Sequence, residues 1–431
     1  MRATWPKARC SPSWCSRYCR VAIWVRETLP APVLGAFALS RVAFTLAAAV
    51  GWWLVPRAPR WSGRVTPPVP AWLALPWHWD AVYYYTIALG GYGPSPVAVP
   101  AYSAASHLPA FFPLWPLLLR AAASLATWSR APVAVPFGAA PALVLAAGVL
   151  LTNLVALVAF RNLHALVAHE TGDAARAGRA VLYAALAPFA FCYAIPYTEG
   201  LFLATSTAAF LAARRGQWLR AGLWAAAAAA TRSVGILLVP VLALAILLAW
   251  RRGAVRGSAR WRAAAGLLLA PLGLLAFMLH LYRTVGDPLA WLHASQRYWH
   301  RDLVFPWVTV WRGLLLVLQP TRSGSPVDYT VSLASTALVC GALLVLLTAW
   351  RRWPPAYSLY GALLLAILLA TPLPGGRAMF GLARYLVIFF PVYGVLARWG
   401  ARPAPHRAIL AVSLAGFTLF AALYAGWYFV G

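Results

Sequence analysis

Apolar runs recur along the chain, and short clusters of arginine separate them. A membrane-spanning helix needs about 20 mostly apolar residues. Runs at 31 to 54, 134 to 160, 234 to 250, 264 to 282, 331 to 350 and 408 to 429 approach or exceed that length. Shorter ones at 180 to 196, 200 to 213, 219 to 232, 357 to 371 and 385 to 397 bring the expected total to about 11 spans. The segment Phe111-Phe112-Pro113-Leu114-Trp115-Pro116-Leu117-Leu118-Leu119 ends at Arg120 and holds two prolines, so it suits an interfacial or re-entrant helix better than a crossing. The pattern predicts an all-α polytopic membrane protein.

Composition agrees: 62% of the 431 residues are hydrophobic and 10% charged, against roughly a quarter charged in a soluble domain. A formal charge of +28 would suggest nucleic acid in a soluble protein. Here the arginines stand in loops between apolar runs, the mark of a cytoplasmic face against anionic headgroups, and a nucleic-acid partner is not expected. Residues 1–28 carry Arg2, Lys7, Arg9, Arg17, Arg20 and Arg26 without a long apolar core and read as a basic cytoplasmic tail rather than a cleaved signal. Residues 29–431 then form a single transmembrane domain. The first span leads outward, so a large first loop at about 56–133 lies outside the cell membrane with any interfacial helices it contains. Cys10, Cys15 and Cys19 match no metal motif, and five cysteines are too scattered for a disulfide framework.

Eight acidic residues can be taken one by one. Glu27, Glu170 and Asp173 fall on the basic, cytoplasmic side. Asp80, Glu199, Asp287, Asp302 and Asp328 all fall outside under a topology set by Lys and Arg alone. Asp80 lies in Trp77-His78-Trp79-Asp80-Ala81-Val82-Tyr83-Tyr84-Tyr85, where aromatics anchor the loop at the interface and desolvate a carboxylate suited to general-base work. If the stretch is helical, Asp80, Tyr84 and Ile87 share a face and His78 points away, an interfacial residue rather than a metal ligand. Glu199, after Pro196-Tyr197-Thr198, and Arg232, in Thr231-Arg232-Ser233, are ionisable groups at membrane depth. Such groups are functional candidates, although a purely structural pair is the simpler reading. Asp287 and His293 belong to an unusually polar outer loop, and Arg377 and Arg384 are outside as well. Guanidinium forks facing an outer cavity suit a phosphate. No phosphate-binding glycine loop, zinc motif or nucleophile elbow is present.

Taken in order and spacing, these residues resemble the PIG-V-like mannosyltransferases, bacterial-type members of the GT-C class of membrane glycosyltransferases. The carriers are Trp79-Asp80 with Tyr83-Tyr84 and Gly91-Tyr92; Ala110-Phe111-Phe112-Pro113-Leu114-Trp115; Pro196-Tyr197-Thr198-Glu199; Thr231-Arg232 with Gly235; and Arg384-Tyr385. Ala81, Tyr83 and Gly200 stand where the family usually has Gly, Trp and Ser. The resemblance implies a GT-C-like bundle and inverting transfer of a sugar, mannose above all, from a polyprenyl- or dolichyl-phosphate donor. The acceptor would be a hydroxyl of a glycan, glycolipid or protein on the extracytoplasmic face. It implies Asp80 as the leading catalytic residue, Tyr84 and Glu199 shaping the site, and Arg232, with outer-loop arginines, at the donor phosphate. With the residues read above, Asp80 and Glu199 are the candidate catalytic residues and Trp79, Tyr83, Tyr84, Tyr197, Arg232, Asp287, His293 and Arg384 the candidate substrate-binding ones. No metal is required, since the leaving group is already a phosphate. A transporter or flippase of lipid-linked intermediates is the alternative of another class, and a transferase using a different prenyl-phosphate sugar is the nearer one. No repeated half favours the transporter.

Overall fold

A computed structural model describes residues 29–58, 75–92, 105–127, 140–319, 325–374 and 377–431. The basic tail with Cys10, Cys15 and Cys19, and parts of the first outer loop, lie outside the described residues.

The described residues are helical. Among them six helices are long and apolar enough to cross a membrane: Ala31–Leu54 (α1), Leu143–Thr171, Ser233–Arg251, Ser258–Val285, Pro326–Ala349 and Pro403–Ala425. Their outward faces explain the composition. On the second of these, Leu150 and Leu154 are 67% and 61% exposed, and Val158 continues the same stripe one turn on. Side chains four apart share a face, so the helix presents a ribbon of hydrocarbon that only lipid would cover.

Between α1 and the next span lie two short helices, Asp80–Gly90 (α2) and Leu114–Thr127 (α3), joined by a 3₁₀ turn at Ala105–Ala110. Neither is long enough to span, as expected for the segment around Phe111, and α3 starts only after Pro113. Tyr92 Oη donates to Phe111 O at 2.6 Å. Arg120 of α3 donates to Ala88 O at 2.7 Å and Leu89 O at 3.0 Å, where a cation satisfies the carbonyls that end α2. This gives Arg120 a structural purpose.

The following helix, α4, runs Ala140–Thr171. The expected span ended at 160, before Arg161; arginine marks where a helix leaves the bilayer, but it is a good helix former, and the helix stops only at Gly172, with φ +66°. The expected span at 180 to 196 is broken. Its helix, α5, covers Ala174–Ala185 with Asp173 as N-cap, and Pro188 precedes a 3₁₀ turn at Ala190–Tyr193.

Glu199–Arg214 (α6), a short buried helix packed on α4, and Trp218–Thr231 (α7), half-exposed with Leu223 and Trp224 facing outward, form a hairpin. Next come Leu238–Arg251 (α8), Ser258–Leu269 (α9) and Leu272–Val285 (α10), the last two divided at Pro271. The polar loop after α10 contains Ala290–Trp299 (α11). Pro306–Leu318 (α12) was not expected from the sequence, because 13 residues are too few to span and the charge parity left no place for a crossing there. Pro326–Ala349 (α13) and Pro355–Ala370 (α14) follow. The expected span at 385 to 397 is interrupted at Pro391, giving Leu382–Leu386 (α15) and Pro391–Trp399 (α16). Last comes Pro403–Ala425 (α17), which packs along α1 and so brings the two ends of the described chain together.

Candidate active site

Four ionic side chains from four separate stretches of sequence meet at one end of the bundle. Asp80 is the first residue of α2 and Glu199 the first of α6. A helix start offers unpaired N–H groups and the positive end of the helix dipole, so a carboxylate is at home there. Arg232 sits just after α7 in extended backbone, φ −155° and ψ 152°, where the chain turns into the next span. Arg384 lies in the five-residue α15.

Asp80 Oδ2 is 2.7 Å from Arg384 Nη1. Glu199 Oε1 is 2.6 Å from Arg232 Nη1 and 3.2 Å from Arg384 Nε. These contacts make an alternating chain, Asp80–Arg384–Glu199–Arg232. Glu199 and Arg384 in the middle of the chain are 1% and 5% exposed, Arg232 at one end 10% and Asp80 at the other 19%, so Asp80 is its most open member. The Glu199 contacts are ion pairs by distance, with angles outside hydrogen-bond geometry, and its Oε2 is buried without a hydrogen-bond partner.

Neutral groups fill the spaces between. Thr198 Oγ1 accepts from Arg232 Nη1 at 3.0 Å and lies 3.2 Å from Tyr84 Oη. The Tyr385 ring faces three guanidinium groups, of Arg232 at 4.6 Å, Arg384 at 5.1 Å and Arg301 at 5.7 Å. Arg384 also lies 5.0 Å from the Tyr197 ring. Aromatic faces stabilise cations taken out of water, which is how so many arginines are held together here.

The approach to Asp80 is aromatic. Tyr83 stacks on Phe111 at 4.3 Å and meets Trp299 of α11 edge-on at 6.0 Å. Trp79 precedes Asp80 in a conformation that L residues seldom adopt, φ +55°, and packs on Phe429 at 5.1 Å. Strain of this kind persists only where the surroundings enforce it.

His78 departs from the expectation of an interfacial residue. It lies in the turn before α2, only 1% exposed, stacked on Trp427 at 3.6 Å. Tyr424 Oη accepts from the His78 backbone N–H at 3.2 Å and donates to Pro76 O at 3.0 Å. Burial pushes the imidazole down to about 3, so it is a neutral wedge that braces the turn carrying Asp80.

The sequence grouped Asp80, Glu199, Arg232 and Arg384 on one side, and the structure brings them into contact, with Tyr84 and Tyr197 beside them. Asp80 is not an isolated carboxylate in an apolar ring, because Arg384 holds it. Asp287 and His293 pair with each other instead, Oδ2 to Nδ1 at 2.7 Å, from the turn before α11 to its exposed first part. The hydrogen bond with His293 holds the Asp287 carboxyl below its ordinary value. Asp328 pairs with Arg377. Thr198, Arg301 and Tyr385 were not singled out as site residues. Glu199 and Arg384, the neighbours of Thr198 and Tyr385, were, and Arg301 belongs to the same polar loop as His293, but neither adjacency nor loop membership says which way a side chain points. Among the described residues no group of three His, Cys, Asp or Glu side chains is placed to hold a metal ion.

A family model described as Mannosyltransferase (PIG-V) matches residues 56–279, more than half of the chain. Among solved structures, the Archaeoglobus fulgidus oligosaccharyltransferase in complex with Zn and sulfate aligns with a TM-score of 0.39 at 13% identity, over 90% of this chain and 53% of that one. The archaeal oligosaccharyltransferase AglB from the same organism, in complex with an inhibitory peptide and a dolichol-phosphate, aligns with a TM-score of 0.39 at 13% identity, over 96% and 55%. The chain therefore spans about half the length of these proteins. No curated protein matches it.

Proposed function

The chain belongs to the PIG-V mannosyltransferase family, and from that premise we propose that it transfers mannose from a polyprenyl-phosphate donor to a hydroxyl of a glycan, glycolipid or protein, on the extracytoplasmic face of the cell membrane. Family membership and the apolar helices support a multi-pass membrane glycosyltransferase. The observation that carries the reading further is the ionic chain ending at Asp80, with Arg301 beside it at the Tyr385 ring.

The acceptor oxygen attacks the anomeric carbon as the bond from that carbon to the phosphate oxygen breaks. The electron pair leaves with the lipid phosphate, and the acceptor proton passes to the Asp80 carboxylate. A single displacement of this kind inverts the anomeric centre. Arg384 fixes the orientation of Asp80 through their 2.7 Å contact.

Arg232, together with outer-loop arginines, is the expected phosphate ligand, and of these Arg232 is engaged by Glu199 at 2.6 Å. Around Tyr385 three guanidinium groups stand against the two carboxylates Asp80 and Glu199. That leaves one positive charge over, and Arg301 is the arginine of the three that no carboxylate engages among the described residues. Arg301 is thus the better candidate for the departing phosphate, with fixed guanidinium charge aimed where negative charge develops.

Sugar release from polyprenyl-phosphate mannose by purified protein tests the reading. Asp80→Asn should lower the rate about 10² to 10⁴-fold with expression intact. A near wild-type rate would remove Asp80 from the chemistry.

A further inference from the structure

At the opposite end of the bundle from Asp80 lies a cavity of 840 Å³, between the ends of α4, α13, α14, α16 and α17. Its distance from the active site is set by α6. Glu199 opens that 16-residue helix, roughly 24 Å long at 1.5 Å per residue, and Arg214 in its last turn pairs with Glu170 on the cavity wall. The two sites thus stand near opposite faces of a bilayer about 30 Å thick in its hydrocarbon core.

Four arginines line the cavity: Arg176, Arg352, Arg398 and Arg402. Arg176 donates to Gly394 O at 2.9 Å. Arg352, Arg398 and Arg402 are exposed and have no side-chain hydrogen bond or ion pair among the described residues. The single carboxylate of the wall, Glu170, is already engaged by Arg214 and by Tyr357 Oη at 2.9 Å. The cavity therefore carries an uncompensated positive charge. Its floor is apolar, with Val167, Leu344, Phe390 and Val395. Leu344 is also 59% exposed on the flank of α13, so the floor opens sideways onto a lipid-facing surface. Trp353 and Trp399 stand in the wall, at the level where tryptophan marks the membrane–water boundary.

A soluble anion would meet the charge but leave the sideways apolar opening unexplained. We propose that this cavity binds an anionic bilayer lipid, its phosphate among Arg352, Arg398 and Arg402 and an acyl chain along Val167, Leu344 and Val395. Basic pockets between transmembrane helices suit such headgroups. This site is separate from the sugar-transfer site and does not depend on it.

Native mass spectrometry of the purified full chain, titrated with phosphatidylglycerol or phosphatidylcholine, reads the binding directly. Phosphatidylglycerol should be retained in preference to phosphatidylcholine, and Arg352→Gln with Arg402→Gln should weaken that retention about tenfold or more. Thr348→Trp, which fills the floor without altering any charge, should weaken it as well, and decides the matter alone if the double variant does not fold. Equal retention of the two lipids, or retention unchanged in the variants, would overturn the proposal. So would displacement of phosphatidylglycerol by millimolar inorganic phosphate, because a site for a free anion has no use for the floor.

Discussion

Glu199 shows how burial converts a charge into an obligation. Its carboxylate is 1% exposed and its compensation comes from Arg232 and Arg384. Breaking a buried pair from one side leaves a charge without a partner, at a cost of about 3 to 5 kcal/mol. Glu199→Gln should therefore lower the thermal midpoint of the purified protein, followed by tryptophan fluorescence. Glu199→Gln combined with Arg232→Gln should lose less than the sum of the single changes. Additive losses would mean that the two side chains do not interact. Arg301 lies at the edge of the same group and has a different expected signature. Arg301→Gln should raise the KM for the lipid donor and reduce the salt sensitivity of transfer, with the midpoint unchanged. A lower midpoint with unchanged kinetics would make it a structural residue. The rarity of acidic residues made Asp80 and Glu199 visible in the sequence. Thr198 and Tyr385 were not, because a hydroxyl or a ring gains meaning only from what it faces.

At the scale of elements, the hairpin of α6 and α7 sets the spacing of the site, and α9 holds α7 in place by direct backbone contact. A Cβ added at Gly222 of α7 would fall 2.0 Å from Gly266 O, and one added at Gly266 of α9 would fall 2.3 Å from Trp218 O. Helices that lack a hydrophobic driving force between them in lipid pack closely through small residues. Gly222→Val should therefore destabilise the protein by about 1 to 3 kcal/mol and displace Arg232 at the end of the same helix, lowering activity together with stability. A full rate with an unchanged thermal midpoint would show that α9 can move aside freely. Long apolar runs made the six helices of spanning length legible, although the expected total was about 11. Broken ones were not: the interruptions at Pro188 and Pro391 change the path of the chain without changing its hydropathy. The helix α12 escaped because counting crossings gives no place to an apolar helix that does not cross.

For the whole molecule, the distribution of charge and the fold agree on two ends, one with the ionic chain and one with the arginine-lined cavity. Impermeant thiol labelling of single cysteines in a background without native ones gives their orientation. Leu303→Cys, in the loop whose Arg301 reaches Tyr385, should react from outside the cell. Arg256→Cys, between α8 and α9, should react only after the membrane is opened. The reverse pattern would move the site to the cytoplasm and end the case for an extracytoplasmic transfer. The same whole-molecule view gives the brace under Asp80 a further meaning. His78 and Tyr424 are separated by 346 positions, and at about 5 to 20 residues per second a ribosome needs roughly 20 to 70 s to cover that distance. Throughout that interval the turn carrying Asp80 has neither Tyr424 nor Trp427 to pin it. The turn carrying Asp80 thus reaches its braced form only once nearly the whole chain has been made.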